Sequence, residues 1–176
     1  MNLNIIYRKT SLNIDCKRIT YIFVLCVCGA LLLPKGINAA EPAEDYGPVS
    51  IVVHKTPTCG CCGKWVEHLR QHGFSVVVKT VASTRSVQEL LGVPPQIGSC
   101  HTAQVGDYWV EGHVPADVIR KLLDEKPAGI LGISAPGMPM GSPGMEGPNA
   151  GSYDIIALNQ AGELSRYATL KGKAKP

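Results

Sequence analysis

Four cysteines carry the first chemical signal: Cys59, Cys61 and Cys62 lie within one four-residue stretch, and Cys100 follows further along the chain. Thiolates are soft ligands that select Cu(I), zinc or iron–sulfur centres over hard cations. A structural zinc site takes its ligands from two separated pairs, so that four donors reach tetrahedral positions. Here Cys61 and Cys62 are adjacent, and their diverging side chains suit different ions shared with Cys59 and Cys100. Sulfur bridging several Cu(I) ions fits that spacing better than a single zinc ion. A disulfide scaffold fits poorly, since a bridge between neighbours is strained and bridges inside one short stretch staple almost nothing.

Other residues extend the candidate set. His101 follows Cys100 and reads either as a ligand or as a hydrogen-bonding neighbour of the site. Cys100 itself reads as a ligand or as a small buried apolar residue. His113, before Val114 and Pro115, reads as a ligand, a cap for the next helix or a cleft residue. His68 and His72 are four apart, a spacing that can grip a metal. Trp65 and Leu69 beside His68 favour packing instead, and His72 near a helix end suits the helix dipole. His54 reads as a strand residue, and Trp65 and Trp109 as core or cleft wall. Met138, Met140 and Met145 sit in a Gly/Pro run with little to fill. Thioethers bind Cu(I) softly and carry no proton to lose, so Met138 and Met140 join the candidate ligands. Their loop reads as a lid or copper entry point, with plain packing as the alternative.

The elements that must position these residues follow from periodicity. Val49 to His54 is a β-branched apolar run of strand length. Lys64 to His72 has helical spacing, with Trp65, Leu69 and His72 on one face and Gly73 as the stop. Phe74 to Val81 reads as a second strand. Ser83 or Ser86 can cap a helix carrying Val87, Leu90 and Leu91, which ends at Gly92. His101 to Val110 reads as a hairpin turning at Gly106-Asp107. Pro115 and Asp117 open a helix with Val118, Ile119, Leu122 and Leu123, closed by Pro127. Residues 130–152 lose all periodicity and read as an irregular Gly/Pro/Met loop. Ser152 to Leu158 and Leu164 to Leu170 then flank a turn and form a C-terminal β-hairpin. The sequence predicts an α/β fold, a single thioredoxin-like domain over residues 49–170, between a 41–48 lead-in and a 171–176 basic tail.

HKTPTCGCCGKW resembles the start of a glutaredoxin, a strand running into T-x-P-T-C-x-x-C with a helix beginning at the cysteines. That resemblance places Cys59 and Cys62 at the two redox, catalytic positions, with Cys61 as an addition. A helix N-terminus there lowers thiol pKa values and favours thiolate. Ser99-Cys100-His101-Thr102 stands where glutaredoxins carry a cis-proline. The chain also resembles the bacterial CopG-type copper-resistance proteins, through PTCGCCGKWVEHL, SCHTA, EGHVPA and PGMPMGSPGME. That resemblance implies a periplasmic location and copper binding or copper redox handling. The metal set is Cys59, Cys61, Cys62, Cys100, His101, His113, Met138 and Met140, holding Cu(I) in a multinuclear arrangement. Other periplasmic copper-handling proteins are the implied partners. Thiol–disulfide exchange and passive copper carriage are the alternatives.

Composition supports an exported domain. The 176 residues hold 17 Lys+Arg against 14 Asp+Glu, but five bases and only one acid fall in residues 1–40. The remainder holds twelve bases against thirteen acids, which excludes nucleic-acid and polybasic membrane roles that need clustered positive charge. Lys17 and Arg18, the apolar run Tyr21 to Leu33, and small residues to Ala40 form the regions of a secretory signal over 1–40. As a helix that run spans about 20 Å, short of the ~30 Å hydrocarbon core. A cleaved signal and a mature form without a membrane span are expected, with an uncleaved N-terminal anchor as the alternative.

Overall fold

The computed structural model describes residues 48–174. The leader over 1–40, nearly all of the 41–48 lead-in and the last two residues of the tail lie outside the described residues. Strand β1, Ser50–Lys55, buries Ile51 and Val53 on one face. Helix α1, Gly60–Gln71, buries Cys62, Trp65, Val66 and Leu69, the i, i+3, i+4, i+7 stripe of an amphipathic helix. It starts before the expected Lys64, because extended Cys59 serves as its N-cap. His72, expected on the apolar face, is an exposed C-cap residue. The turn at Gly73 (φ 79°) sends Phe74 into the core in its place.

Strand β2, Ser75–Thr80, runs parallel to β1 at the sheet edge. Helix α2, Arg85–Leu91, ends at Gly92 in the left-handed conformation that glycine tolerates. A short 3-10 turn, Pro95–Ile97, leads into β3, His101–Val105, which pairs with β4, Tyr108–Gly112, as the expected hairpin. Helix α3, Ala116–Glu125, follows Pro115 and buries Val118, Ile119 and Leu122. The closing hairpin is β6, Ser152–Asn159, with β7, Leu164–Lys171.

The expected loop over 130–152 is shorter than its sequence suggests, because Ile130–Ala135 forms β5. This strand lies between β4 and β6, and Gly132 to Ala135 are all buried. A strand covered on both faces needs no apolar–polar alternation, so periodicity could not reveal it. Gly132 is required there: a Cβ would overlap the Trp109 ring, which lies across it.

Among the described residues, seven strands form one sheet in the order β2-β1-β3-β4-β5-β6-β7, with three α-helices. One face carries the main core, where Trp65, Val66 and Leu69 of α1 meet Val118, Ile119 and Leu122 of α3 over Ile51, Val53, Ala103 and Val110. A smaller cluster contains Val93, Ile97, Trp109 and Leu158. Both tryptophans are therefore core residues.

Candidate metal centre

Strand register brings the distant cysteine to the cluster. Lys55, the last residue of β1, pairs with His101, the first of β3. The residue before β3, Cys100, is thereby set beside the turn that leads into α1. Its Sγ lies 3.4 Å from that of Cys62. Cys59 and Cys62 are joined as a disulfide across 5.4 Å between their Cα atoms, and Cys61 Sγ sits 3.6 Å from Cys59 Sγ. One donor atom from each of the four cysteines lies within 4.8 Å of the others. Cys61 and Cys100 are the free thiols. Burial, reinforced by the neighbouring Cys61, pushes the Cys100 thiol up to about 11. At neutral pH this thiol keeps its proton until a metal displaces it.

Two imidazoles converge on the same sulfur. The Thr102–Glu111 pairing of β3 with β4 brings the flanking residues, His101 and His113, to one end of the hairpin. His101 Nδ1 and His113 Nε2 each lie 3.4 Å from Cys100 Sγ. His101 is fully buried against the Trp65 ring, with centroids 4.3 Å apart, and burial pulls its pKa down to about 3. Its Nε2 is buried without a hydrogen-bond partner. Burial also lowers the pKa of His113. Neutral His113 donates Nδ1–H to the Pro143 carbonyl at 2.8 Å, which leaves the Nε2 lone pair directed toward Cys100. A ligating histidine is oriented in this way, its other nitrogen held by a carbonyl or carboxylate. Soft sulfurs and two neutral imidazoles together form a donor set that fits copper.

The Gly/Pro/Met segment reaches the site through its backbone. Met138 and Met140 are 40% and 42% exposed, and the Met140 methyl lies over Gly147. Pro143 supplies the carbonyl that holds His113. Gly144 follows at φ +83°, so close to α1 that a Cβ would lie 2.9 Å from Cys61 O and 3.0 Å from Trp65 N. The Glu146 carboxylate accepts the Gly144 N–H at 2.9 Å and fixes this turn. Sequence reasoning weighed the methionine sulfurs and missed Pro143 and Gly144; the Ser-Pro-Gly turn signal was the available clue.

The chain as a whole is similar to proteins of known structure. Two solved structures, titled "Copper resistance protein copG- Form 2" and "Copper resistance protein copG- Form 1", each share 42% identity with this chain at a TM-score of 0.66. The match covers 70% and 71% of this chain, and 98% and 99% of the respective structures. The chain belongs to the CopG copper-resistance protein family. A family described as "Protein of unknown function, DUF411" matches residues 97–145, the stretch containing Cys100, His101, His113, Met138 and Met140 but not the first three cysteines. No curated protein matches the chain.

The remaining histidines lie outside this cluster. His54 lies in β1 with both ring nitrogens buried and unpartnered. His72 Nδ1 lies 2.7 Å from the His68 carbonyl. His68 is half-buried, and its Nε2 accepts the Ala116 N–H at 3.1 Å where α3 begins. Burial and the adjacent His72 pull the His68 pKa from 6.5 down to about 4, against the opposing pull of Asp117 and Glu146. Between those two values the unfolded chain binds a proton that the folded chain refuses. This contribution therefore leaves stability undiminished above pH 6.5 and erodes it as pH falls toward 4. His101 acts in the same direction, whereas Glu111, raised to about 6 by burial, acts in the opposite one. Replacing His68 by Gln, whose amide oxygen still accepts the Ala116 N–H, is expected to flatten the pH dependence of the urea midpoint from 6.5 to 4. An unchanged slope would refute this assignment.

Proposed function

We propose that this chain is an exported, periplasmic copper-binding protein of copper resistance. It holds Cu(I) in a multinuclear arrangement through Cys59, Cys61, Cys62 and Cys100, and interconverts Cu(I) and Cu(II). The observation that carries this reading is the position of Cys100 Sγ, within 3.4 Å of Cys62 Sγ, His101 Nδ1 and His113 Nε2. The family's solved members bear copper-resistance titles. Export is supported by the Lys17 to Ala40 leader, and among the described residues no helix is long and apolar enough to cross a membrane. The strand order β2-β1-β3-β4, with the cysteines at the start of α1, supports a thioredoxin-like frame to which β5, β6 and β7 are added.

When bound, copper supplies a one-electron redox couple. The protein's part is to accommodate both oxidation states: thiolates suit the soft reduced ion, and the neutral nitrogens of His101 and His113 suit the oxidised one. Buried Trp65 shields His101, and Pro143 holds His113 in the tautomer that leaves Nε2 free. Exchange with an external dithiol, itself oxidised to a disulfide, opens the Cys59–Cys62 bridge into two thiols and completes the four-sulfur set. Met138 and Met140 stand in the adjoining loop, where exposed thioethers suit copper entry.

Anaerobic Cu(I) titration of reduced residues 41–176, followed by an oxidant and spectroscopic monitoring, tests this reading. Reversible cycling is expected; inert binding would make the protein a passive carrier. The Cys59–Cys62 bridge at the α1 N-terminus favours a second reading, thiol–disulfide exchange. No bound copper with rapid reduction of a test disulfide would move the assignment there. Cys61→Ser is expected to lower copper stoichiometry while leaving the Cys59/Cys62 pair able to cycle, and unchanged stoichiometry would remove the multinuclear argument.

A further inference from the structure

One fully buried carboxylate stands beside this centre without facing it. Glu111 is 0% exposed, and its oxygens are occupied by protein donors. Oε1 accepts the Ser99 N–H at 2.6 Å and a Gln88 side-chain N–H at 2.7 Å, and Oε2 accepts the Thr102 hydroxyl at 2.6 Å. Gln88 Nε2 also donates to the Ser99 carbonyl at 3.1 Å. Ser99 and Thr102 are the residues on either side of the Cys100-His101 pair. A second constraint comes from Gly112 (φ +71°), where a Cβ would lie 2.8 Å from Ser99 Oγ. The residue after it is His113, so one three-residue stretch clamps the cysteine segment and presents an imidazole to its sulfur.

Burying a carboxylate is costly unless hydrogen bonds compensate. An apolar residue would suffice to fill space; three donors arriving from two sides require a hydrogen-bonding side chain. We infer that Glu111 is a positioning residue: by gripping Ser99 and Thr102 it holds Cys100 and His101 in the geometry that completes the donor set. The role is one of hydrogen bonding rather than charge. A glutamine at this position keeps Oε1 as the acceptor for both N–H groups, and its amide can donate to Thr102 after the hydroxyl rotates. An alanine leaves all three donors unpaired and frees the segment.

The inference rests on the copper reading only for its second readout. The first uses metal-free protein with Cys61 as internal reference, because α1 has no hydrogen bond to Glu111 among those described. Alkylation of each free thiol is followed by mass spectrometry. Glu111→Ala is expected to accelerate Cys100 at least tenfold with Cys61 unchanged, whereas Glu111→Gln keeps the parent rates. In chelator competition under anaerobic conditions, Cu(I) affinity falls at least tenfold in the alanine variant and returns to within about threefold in the glutamine variant, the scale of a lost outer-shell partner. Thr102→Val removes only the Oε2 partner and serves if the alanine variant fails to fold; it is expected to accelerate Cys100 selectively, by less. Unchanged Cys100 reactivity in a folded Glu111→Ala or Thr102→Val protein overturns the inference, as does a parallel rise at Cys61 and Cys100. If the parent protein binds no copper, the copper reading fails while the thiol rates still decide the clamp.

Discussion

Cys100→Ser is expected to remove more copper than the loss of one sulfur accounts for. Cys100 belongs both to the four-cysteine group and to the group it forms with His101 and His113. Its sulfur lies 3.4 Å from each of three other donors, so on the proposed reading it is the atom through which the two groups would share ions. A serine hydroxyl preserves size but is a hard, poor donor for Cu(I). Loss of an outer-shell partner weakens metal affinity by about 10–100-fold, and loss of this shared ligand is expected to exceed the upper end. Stability changes little, since the substitution is nearly isosteric at a half-buried position. Anaerobic titration of Cys100→Ser beside Cys61→Ser measures the effect. Equal stoichiometry in the two variants would show that Cys100 serves one ion like any other ligand.

Gly144→Ala is expected to damage stability and copper binding together. At φ +83° an alanine meets left-handed backbone strain of roughly 1 kcal/mol. Its Cβ also presses on Cys61 O and Trp65 N at 2.9 and 3.0 Å, adding roughly 1–3 kcal/mol of overpacking unless the loop lifts. Lifting the loop withdraws the Pro143 carbonyl from His113 Nδ1. The imidazole then loses the partner that fixes its tautomer, and copper affinity falls about 10–100-fold. Gly137→Ala is the matched control, with φ +71° but nothing within 4 Å of its Cβ. It should cost about 1 kcal/mol of strain and leave Cu(I) affinity unchanged. Urea unfolding and chelator competition on both variants separate the two effects, and equal affinities in the two would rule out a backbone role for the loop.

Much of the architecture was legible locally. The Gly106-Asp107 turn, the stop at Gly92 and the helix behind Pro115 are decided by residues within a few positions, and the structure places those elements where periodicity put them. Strand β5 was not legible, because burial on both faces erases alternation. His72 shares the apolar spacing of Trp65 and Leu69 but caps the helix and is exposed, because the turn at Gly73 gives its place in the core to Phe74.

The candidate centre divides along the same line. Cys59, Cys61 and Cys62 lie within one turn, so their residue types and spacing alone determined that soft-metal or thiol chemistry belongs there. Only the tertiary structure brought Cys100 to that turn, because the pairing of β1 with β3 depends on contacts far apart in sequence, whereas the two imidazoles are brought together by the local β3–β4 hairpin. It also decided that the loop reaches the site through the Pro143 carbonyl and the bare Cα of Gly144, and that Glu111 faces the backbone on either side of Cys100. A carbonyl is common to every residue and a missing Cβ leaves no chemical label, so the Ser-Pro-Gly signal announces a turn but not what that turn touches. Residue types specify which donors a chain can offer; the register of its sheet specifies which of them meet.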